Sequence, residues 1–226
     1  MKTSGRPGWK HILYSLSLSL VIANIFIVAK SHSDTPNQPD KNHTTNALLS
    51  AIIEQVTISD KIEGSFEQRK YIHILPQPLL SKGVFQLDKK TGLVWQINTP
   101  VSSRIVFDSA GIHQHQKGQA VWEISNDRPG VAMIGELMRA ALSYDWPLLE
   151  NYFFINGSIN GSSNSSISDV SETQGGKQQW ALTLTPKETT LQKTIKHISL
   201  TGEQTLTSLT LFEVNNDRTE ITFDML

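Results

Sequence analysis

The sequence predicts a mainly β chain with a few helices (α+β), built on one large antiparallel sheet that curls. Three observations carry this. Large residues occupy alternate positions from Ile62 to Pro100 and again from Trp180 to the end, and a period of two marks strands with one buried face. The connections between these runs are mostly short and rich in turn residues, so successive strands are antiparallel neighbours. Helical spacing of apolar residues surfaces in two places only, near residues 46–56 and 131–142. The pattern amounts to roughly eight to eleven strands with two or three helices, a sheet wide enough to curl under its own twist.

The first helix is predicted from Asn46 to Val56, with Leu49, Ile52, Ile53 and Val56 on one face and Thr44 or Thr45 as its cap. Ile62, Gly64, Phe66 and Gln68 then share a strand face. A second strand runs around Val84–Asp88, and Lys89-Lys90-Thr91-Gly92 reads as a hairpin turn with glycine available for positive φ. The returning strand aligns Leu93, Trp95 and Ile97 and ends at Pro100. Ser103–Phe107 and Ile112–His115 form another hairpin around Asp108–Gly111, with a further strand at Ala120–Ile124. Ile134, Leu137, Met138, Ala141 and Leu142 make a broad apolar helical face. Asp145-Trp146-Pro147 opens a second helical turn, and Tyr152–Ile155 is extended. Residues 157–178, rich in Ser, Asn and Gly, read as a mobile insertion. Strands follow at Trp180–Thr185, Ile195–Leu200, Leu206–Val214 and Thr219–Phe223.

Ahead of this domain (residues 44–226), Lys2, Arg6 and Lys10 precede an uncharged stretch from Ile12 to Ala29. Basic then apolar is the layout of a secretory signal, with cleavage expected after Ser31; retention as a membrane anchor is the alternative. Residues 32–43 are polar, hold two prolines and read as a disordered linker. Residues 1–30 carry four basic and no acidic side chains, so their removal leaves 16 basic against 21 acidic, a net charge of −5. A mildly acidic exported domain lacks the clustered cations that nucleic-acid binding needs. The absence of cysteine rules out disulfides, thiolate metal sites, cysteine nucleophiles and lipidation on an N-terminal cysteine.

The residues Phe66-x-Gln68, Gly83-x-Phe85 and Gly92-Leu93-x-Trp95 followed by Pro100, then Trp180-x-Leu182-x-Leu184-x-Pro186, occur in an order that resembles the periplasmic outer-membrane lipoprotein carrier family, the LolA-like proteins. The closing run with Ile198, Leu200, Leu209, Leu211, Ile221 and Phe223 extends the resemblance, which covers about Asn46 to Leu226. It implies an incomplete antiparallel β-barrel covered by lid helices, whose concave face binds the acyl chains of a lipoprotein, or of a related lipid, in transit between two membranes. It also implies an inner-membrane exporter and an outer-membrane acceptor as partners, a periplasmic location, a monomer and no cofactor. A companion receptor of that fold is lipidated on cysteine, so a chain without cysteine matches the soluble carrier branch. Lys89 and Lys90 occupy the region where the family's carriers have an arginine, and are expected to contact partner or cargo. Lysine lacks the planar guanidinium fork.

Independently of the resemblance, a curled sheet has a concave face that must be filled, by side chains or by helices enclosing a ligand space. The expected lining residues are Phe66, Phe85, Leu87, Leu93, Trp95, Ile97, Trp180, Leu182, Leu184, Leu209, Leu211 and Phe223, with Met133, Ile134, Leu137 and Met138 on the lid helix. For each of them an ordinary core position is the competing reading. Methionine suits a surface that adapts to varied chains. His113-x-His115 puts two imidazoles on one strand face, half of a zinc site at most, and no metal is expected. There is no G-x-S-x-G elbow, phosphate-cradling glycine loop or H-E-x-x-H motif, so no enzyme is expected. The reading from a different class is a membrane-anchored, non-catalytic accessory or scaffold protein of an export system, with its cavity packed shut.

Placing an unpaired carboxylate on the apolar face by Leu93→Glu, Trp95→Glu or Leu182→Glu is expected to abolish folding or cargo binding, whereas Lys117→Glu is expected to be mild. Circular dichroism with mass spectrometry of co-purifying lipid checks this. A folded Trp95→Glu protein with normal cargo would mean that the two strand faces are exchanged.

Overall fold

The computed structural model describes residues 42–116, 119–125, 131–159, 162–163 and 178–226. The expected export segment and most of the expected linker (residues 1–41), Lys117 and most of the Ser/Asn-rich segment lie outside them. In chain order the elements are α1 (Asn42–Gln55), β1 (Lys61–Tyr71), β2 (Leu79–Asp88), β3 (Gly92–Thr99), β4 (Ser103–Phe107), β5 (Gly111–Gln116) and β6 (Gln119–Ser125). They continue as α2 (Val131–Ser143), α3 (Trp146–Tyr152), β7 (Phe153–Ile159), β8 (Ser162–Ser163), β9 (Trp180–Pro186), α4 (Thr189–Gln192), β10 (Ile195–Gly202), β11 (Leu206–Glu213) and β12 (Arg218–Met225). Among the described residues no helix is long and apolar enough to cross a membrane.

All twelve strands lie in one sheet in the order β6-β5-β4-β3-β2-β1-β12-β11-β10-β9-β7-β8. Every neighbouring pair is antiparallel. The expected architecture is therefore observed, an open antiparallel sheet that does not close. The strand beyond the expected range is the two-residue β8. β7 also continues to Ile159, because Asn156, Gly157 and Ser158 pair with Thr183, Leu182 and Ala181 of β9. α1 starts at Asn42 rather than Asn46, and the β10–β11 turn falls after Gly202 instead of at Thr201–Glu203.

Strict alternation decides which face is buried. In β3, Leu93, Trp95 and Ile97 are buried between half-exposed neighbours, and in β9 Trp180, Leu182 and Leu184 are buried between exposed ones. Turn chemistry fixes the registers. Asp88 accepts from the backbone N–H of Lys90 (2.8 Å) and Thr91 (3.3 Å), and Gly92 adopts φ +110°, so β2 reverses into β3 in the predicted way. Those backbone donors hold the Asp88 carboxyl below its usual pKa. At the β4–β5 hairpin Asp108 accepts from the backbone N–H of Ala110 and Gly111.

The helices cover the buried face. α2 packs against β3 and β5, α1 and α3 against β7. Asp145 caps α3 by accepting from the Leu148 N–H (3.3 Å), with Pro147 in its first turn. The end of α2 is pinned by Tyr144. This residue sits at φ +58°, a conformation that disfavours an aromatic side chain, and its hydroxyl accepts the Leu206 N–H at 2.7 Å. Its ring meets Trp146 and Trp180 edge-on at 5.7 and 6.4 Å. Burial raises the Tyr144 pKa, outweighing the Leu206 hydrogen bond that acts the other way.

Two glycines make room for the aromatic part of the core. A Cβ on Gly83 would lie 1.9 Å from the Gln96 carbonyl and 2.8 Å from the Phe66 ring; one on Gly64 would lie 2.9 Å from the Phe85 ring. Gly83→Ala is therefore expected to destabilise the protein by about 1–3 kcal/mol through overpacking. Denaturant unfolding read by tryptophan fluorescence measures it, and an unchanged midpoint would contradict this packing.

Candidate functional site

The concave face is not filled evenly. Toward the β2–β3 hairpin, rings occupy the space. Phe66 stacks on Trp95 at 3.9 Å between centroids, and Phe85 and Phe223 pack around them at 5.7–6.3 Å. At the helix end, Tyr144, Trp146 and Trp180 form a second aromatic group, with Trp180 Nε1 donating to the Glu203 carbonyl at 2.8 Å. Between the sheet and the α2–α3 pair there remains a cavity of about 110 Å³.

Its wall draws on both halves of the sheet. β3 and β4 give Trp95, Ile105 and Phe107; α2 and α3 give Leu137, Met138, Ala141 and Leu149. β7 and β9 give Phe153 and Leu184, β10 gives Ile195, Ile198 and Leu200, and β11 and β12 give Leu209, Leu211 and Ile221. The two polar members are Gln68 of β1 and Thr219 of β12. No charged side chain takes part among the described residues.

Of the expected lining residues, Trp95, Leu137, Met138, Leu184, Leu209 and Leu211 come together around this cavity. Phe66, Phe85, Leu87, Leu93, Ile97, Trp180, Leu182 and Phe223 share the buried face but pack into the core beside it. Met133 and Ile134 fall on the first turn of α2, and their side chains lie outside the described residues. Lys89 and Lys90 occupy the β2–β3 turn away from the cavity; Lys89 Nζ is 3.6 Å from Asp60, and the Lys90 N–H binds Asp88.

As lining, sequence reasoning did not select Gln68, Ile105, Phe107, Ala141, Leu149, Phe153, Ile195 or Thr219, nor Ile198, Leu200 and Ile221, which entered only with the resemblance. Gln68 was within reach, since it shares the period-two face of Phe66. Thr219 follows from the same rule applied back from Phe223 through Ile221.

Beyond Gln68 the face becomes polar. Lys70, two residues on, donates through Nζ to Glu213 Oε1, and both side chains are about 3% exposed. Lys70 lies directly across the ladder from Thr219. On the helical side the Tyr152 hydroxyl donates to Glu136 Oε2 at 3.1 Å, tying α3 to α2. Burial first, then the Glu136 carboxylate, raises the Tyr152 pKa.

Among the described residues no three His, Asp or Glu side chains are grouped to hold a metal. His113 lies 3.3 Å from Asp108 and 3.8 Å from Glu123, and His115 sits opposite Arg104 in the ladder.

These features define an open, curled antiparallel sheet that wraps two helices around a small apolar cavity. No protein-family model matches the chain, and no curated protein matches it significantly. Solved structures to which it is similar include a LolA superfamily protein from Nitrosomonas europaea, at 10% identity and TM-score 0.40, over 80% of this chain and 91% of that one. LprF from Mycobacterium bovis gives 11% identity and TM-score 0.40, over 81% and 92%. The lipoprotein LppX from Mycobacterium tuberculosis gives 9% and 0.36, over 82% and 95%. The first carries the name of the family that the sequence resembles. At these TM-scores the fold assignment rests on the sheet itself.

Glu213→Ala leaves the buried Lys70 ammonium without its carboxylate and is expected to cost about 3–5 kcal/mol. Urea unfolding of the variant, with Lys70→Met/Glu213→Leu as the apolar replacement that recovers much of the loss, measures it.

Proposed function

We propose that this protein is a non-catalytic carrier of apolar chains. Its ligand is the acyl part of a lipoprotein or related lipid, taken up in the periplasm from an inner-membrane exporter and passed to an outer-membrane acceptor. One observation carries the reading: the buried face of the sheet leaves an apolar cavity under α2 and α3 instead of closing on itself. Each methylene removed from water contributes about 0.8 kcal/mol, so an acyl chain needs such cover to cross an aqueous space.

At about 110 Å³ the cavity is below the roughly 150 Å³ that accepts a benzene molecule and the roughly 300–1,000 Å³ of ordinary ligand pockets. A chain therefore enters only if a wall moves. α2 is the wall able to do so. Its C-terminal end is fixed by Tyr144, whereas Leu137 and Met138, one to two turns earlier, are only partly buried. Swinging α2 outward about Tyr144 enlarges the space, and near-balance between the closed and open positions allows both uptake and release. Apolar chains of varied shape then meet Met138, a side chain that adapts.

The same small volume favours a second reading, the membrane-anchored accessory protein whose cavity stays shut. Mass spectrometry of material co-purifying with the periplasmic form separates the two: bound lipid on a processed chain supports the carrier, and an uncleaved, empty protein supports the scaffold. Ala141→Leu adds bulk inside the cavity. It is expected to raise stability by about 1–2 kcal/mol while reducing uptake of a fluorescent fatty acyl probe at least ten-fold. Undiminished uptake would show that chains bind elsewhere.

A further inference from the structure

The concave wall has a chemical asymmetry that an acyl chain alone does not use. Along β1 the inward residues run Gly64, Phe66, Gln68 and Lys70; along β12 they run Phe223, Ile221 and Thr219. Both strands pass from aromatic to polar in the same direction, because Phe66 pairs with Phe223, Gln68 with Ile221 and Lys70 with Thr219. Gln68 and Thr219 are thus diagonal neighbours on one face, within reach of a single small group.

The Thr219 hydroxyl has no hydrogen-bond partner among the described residues. Thr219 is 1% exposed and its Oγ1 is buried without a hydrogen bond. Gln68 is 5% exposed as a residue and carries an amide on the same face. Both line the cavity. Buried amides and hydroxyls are ordinarily paired, and an orphaned one disfavours the empty state. The adjacent Lys70 does not serve this need, because its ammonium is engaged by Glu213.

We infer that the ligand of this cavity carries a neutral hydrogen-bonding group, of the ester, amide or hydroxyl class, next to its apolar chain, and that Gln68 and Thr219 receive it. This rests on the carrier reading above. Neutrality follows from the wall, since a carboxylate or ammonium brought there would lose its water and find no free opposite charge among the described lining residues. A carbonyl oxygen accepts from the Gln68 NH₂ and the Thr219 hydroxyl, while a ligand hydroxyl or amide N–H donates to either side-chain oxygen. The chain then extends over Leu209, Ile221 and Trp95 toward the aromatic end. The two residues position and select the ligand, and no bond is made or broken.

The test compares methyl laurate with tetradecane, matched in chain length, as competitors of bound 1-aminoanthracene, in the wild type and in Gln68→Leu/Thr219→Val. Comparing the ratio of the two dissociation constants between the two proteins cancels the different water affinities of the ligands. It is expected to move at least ten-fold against the ester in the double variant. Without ligand the variant is expected to be as stable as the wild type or more so, because it removes the orphaned Thr219 hydroxyl. An unchanged ratio with both compounds binding overturns this inference and leaves the carrier reading standing. Failure of both compounds to compete, in a wild type that also retains no lipid, overturns both. If the variant does not fold, the infrared carbonyl stretch of ¹³C-labelled methyl laurate on the wild type decides. A shift to lower frequency than in alkane solvent supports the assignment, and an alkane-like frequency overturns it.

Discussion

The ladder between β1 and β12 joins everything else in this protein. It runs from Gly64↔Met225 to Tyr71↔Arg218 and unites the first and last strands of the described residues. On one side lie β2–β6, on the other β11, β10, β9, β7 and β8, each side built from neighbours close in sequence. Without this seam there would be two smaller sheets with exposed apolar faces. With it there is one sheet, wide enough for twist to accumulate into a trough. The seam also brings Gln68 and Lys70 beside Thr219, which are about 150 residues apart in sequence, and so creates the polar end of the trough.

The filling of the trough follows from side-chain size. Gly64 and Gly83 let Phe85 and Phe66 lie flat against the backbone, and Trp95 and Phe223 complete a dense aromatic layer. Tyr144, Trp146 and Trp180 form a second dense layer where α2 ends. The cavity lies between regions that large rings hold apart, where Leu, Ile, Met and Ala do not reach across. Interiors are ordinarily packed without such voids. An apolar void flanked by rigid layers under one helix is a place where structure can yield without loss of the fold.

The same arrangement separates a fixed end from a yielding one. Tyr144 holds an unfavourable backbone angle because the Leu206 N–H and two tryptophans define its position. Leu137 and Met138 pack against the core only partly buried. The Tyr152–Glu136 bond, next to them in sequence, ties this part of α2 to α3.

Much of this was legible in the residues alone. Period-two alternation identified the buried faces of β1, β2, β3 and β9, and turn chemistry at Asp88–Gly92 and Asp108–Gly111 set two hairpins, because both are local properties of the backbone. Alternation says which face a side chain takes, but not how far the opposite wall stands. Phe66, Phe85 and Trp180 were therefore indistinguishable from Trp95 and Leu184, although only the last two border the cavity. By itself the sequence determined a curled antiparallel sheet with one apolar face, helices to cover it and no cysteine. The tertiary structure alone decided where that face is packed and where it stays open, and that Gln68 and Thr219 meet within it. Those outcomes depend on the pairing of strands at opposite ends of the chain, a non-local register that no short window of residues encodes.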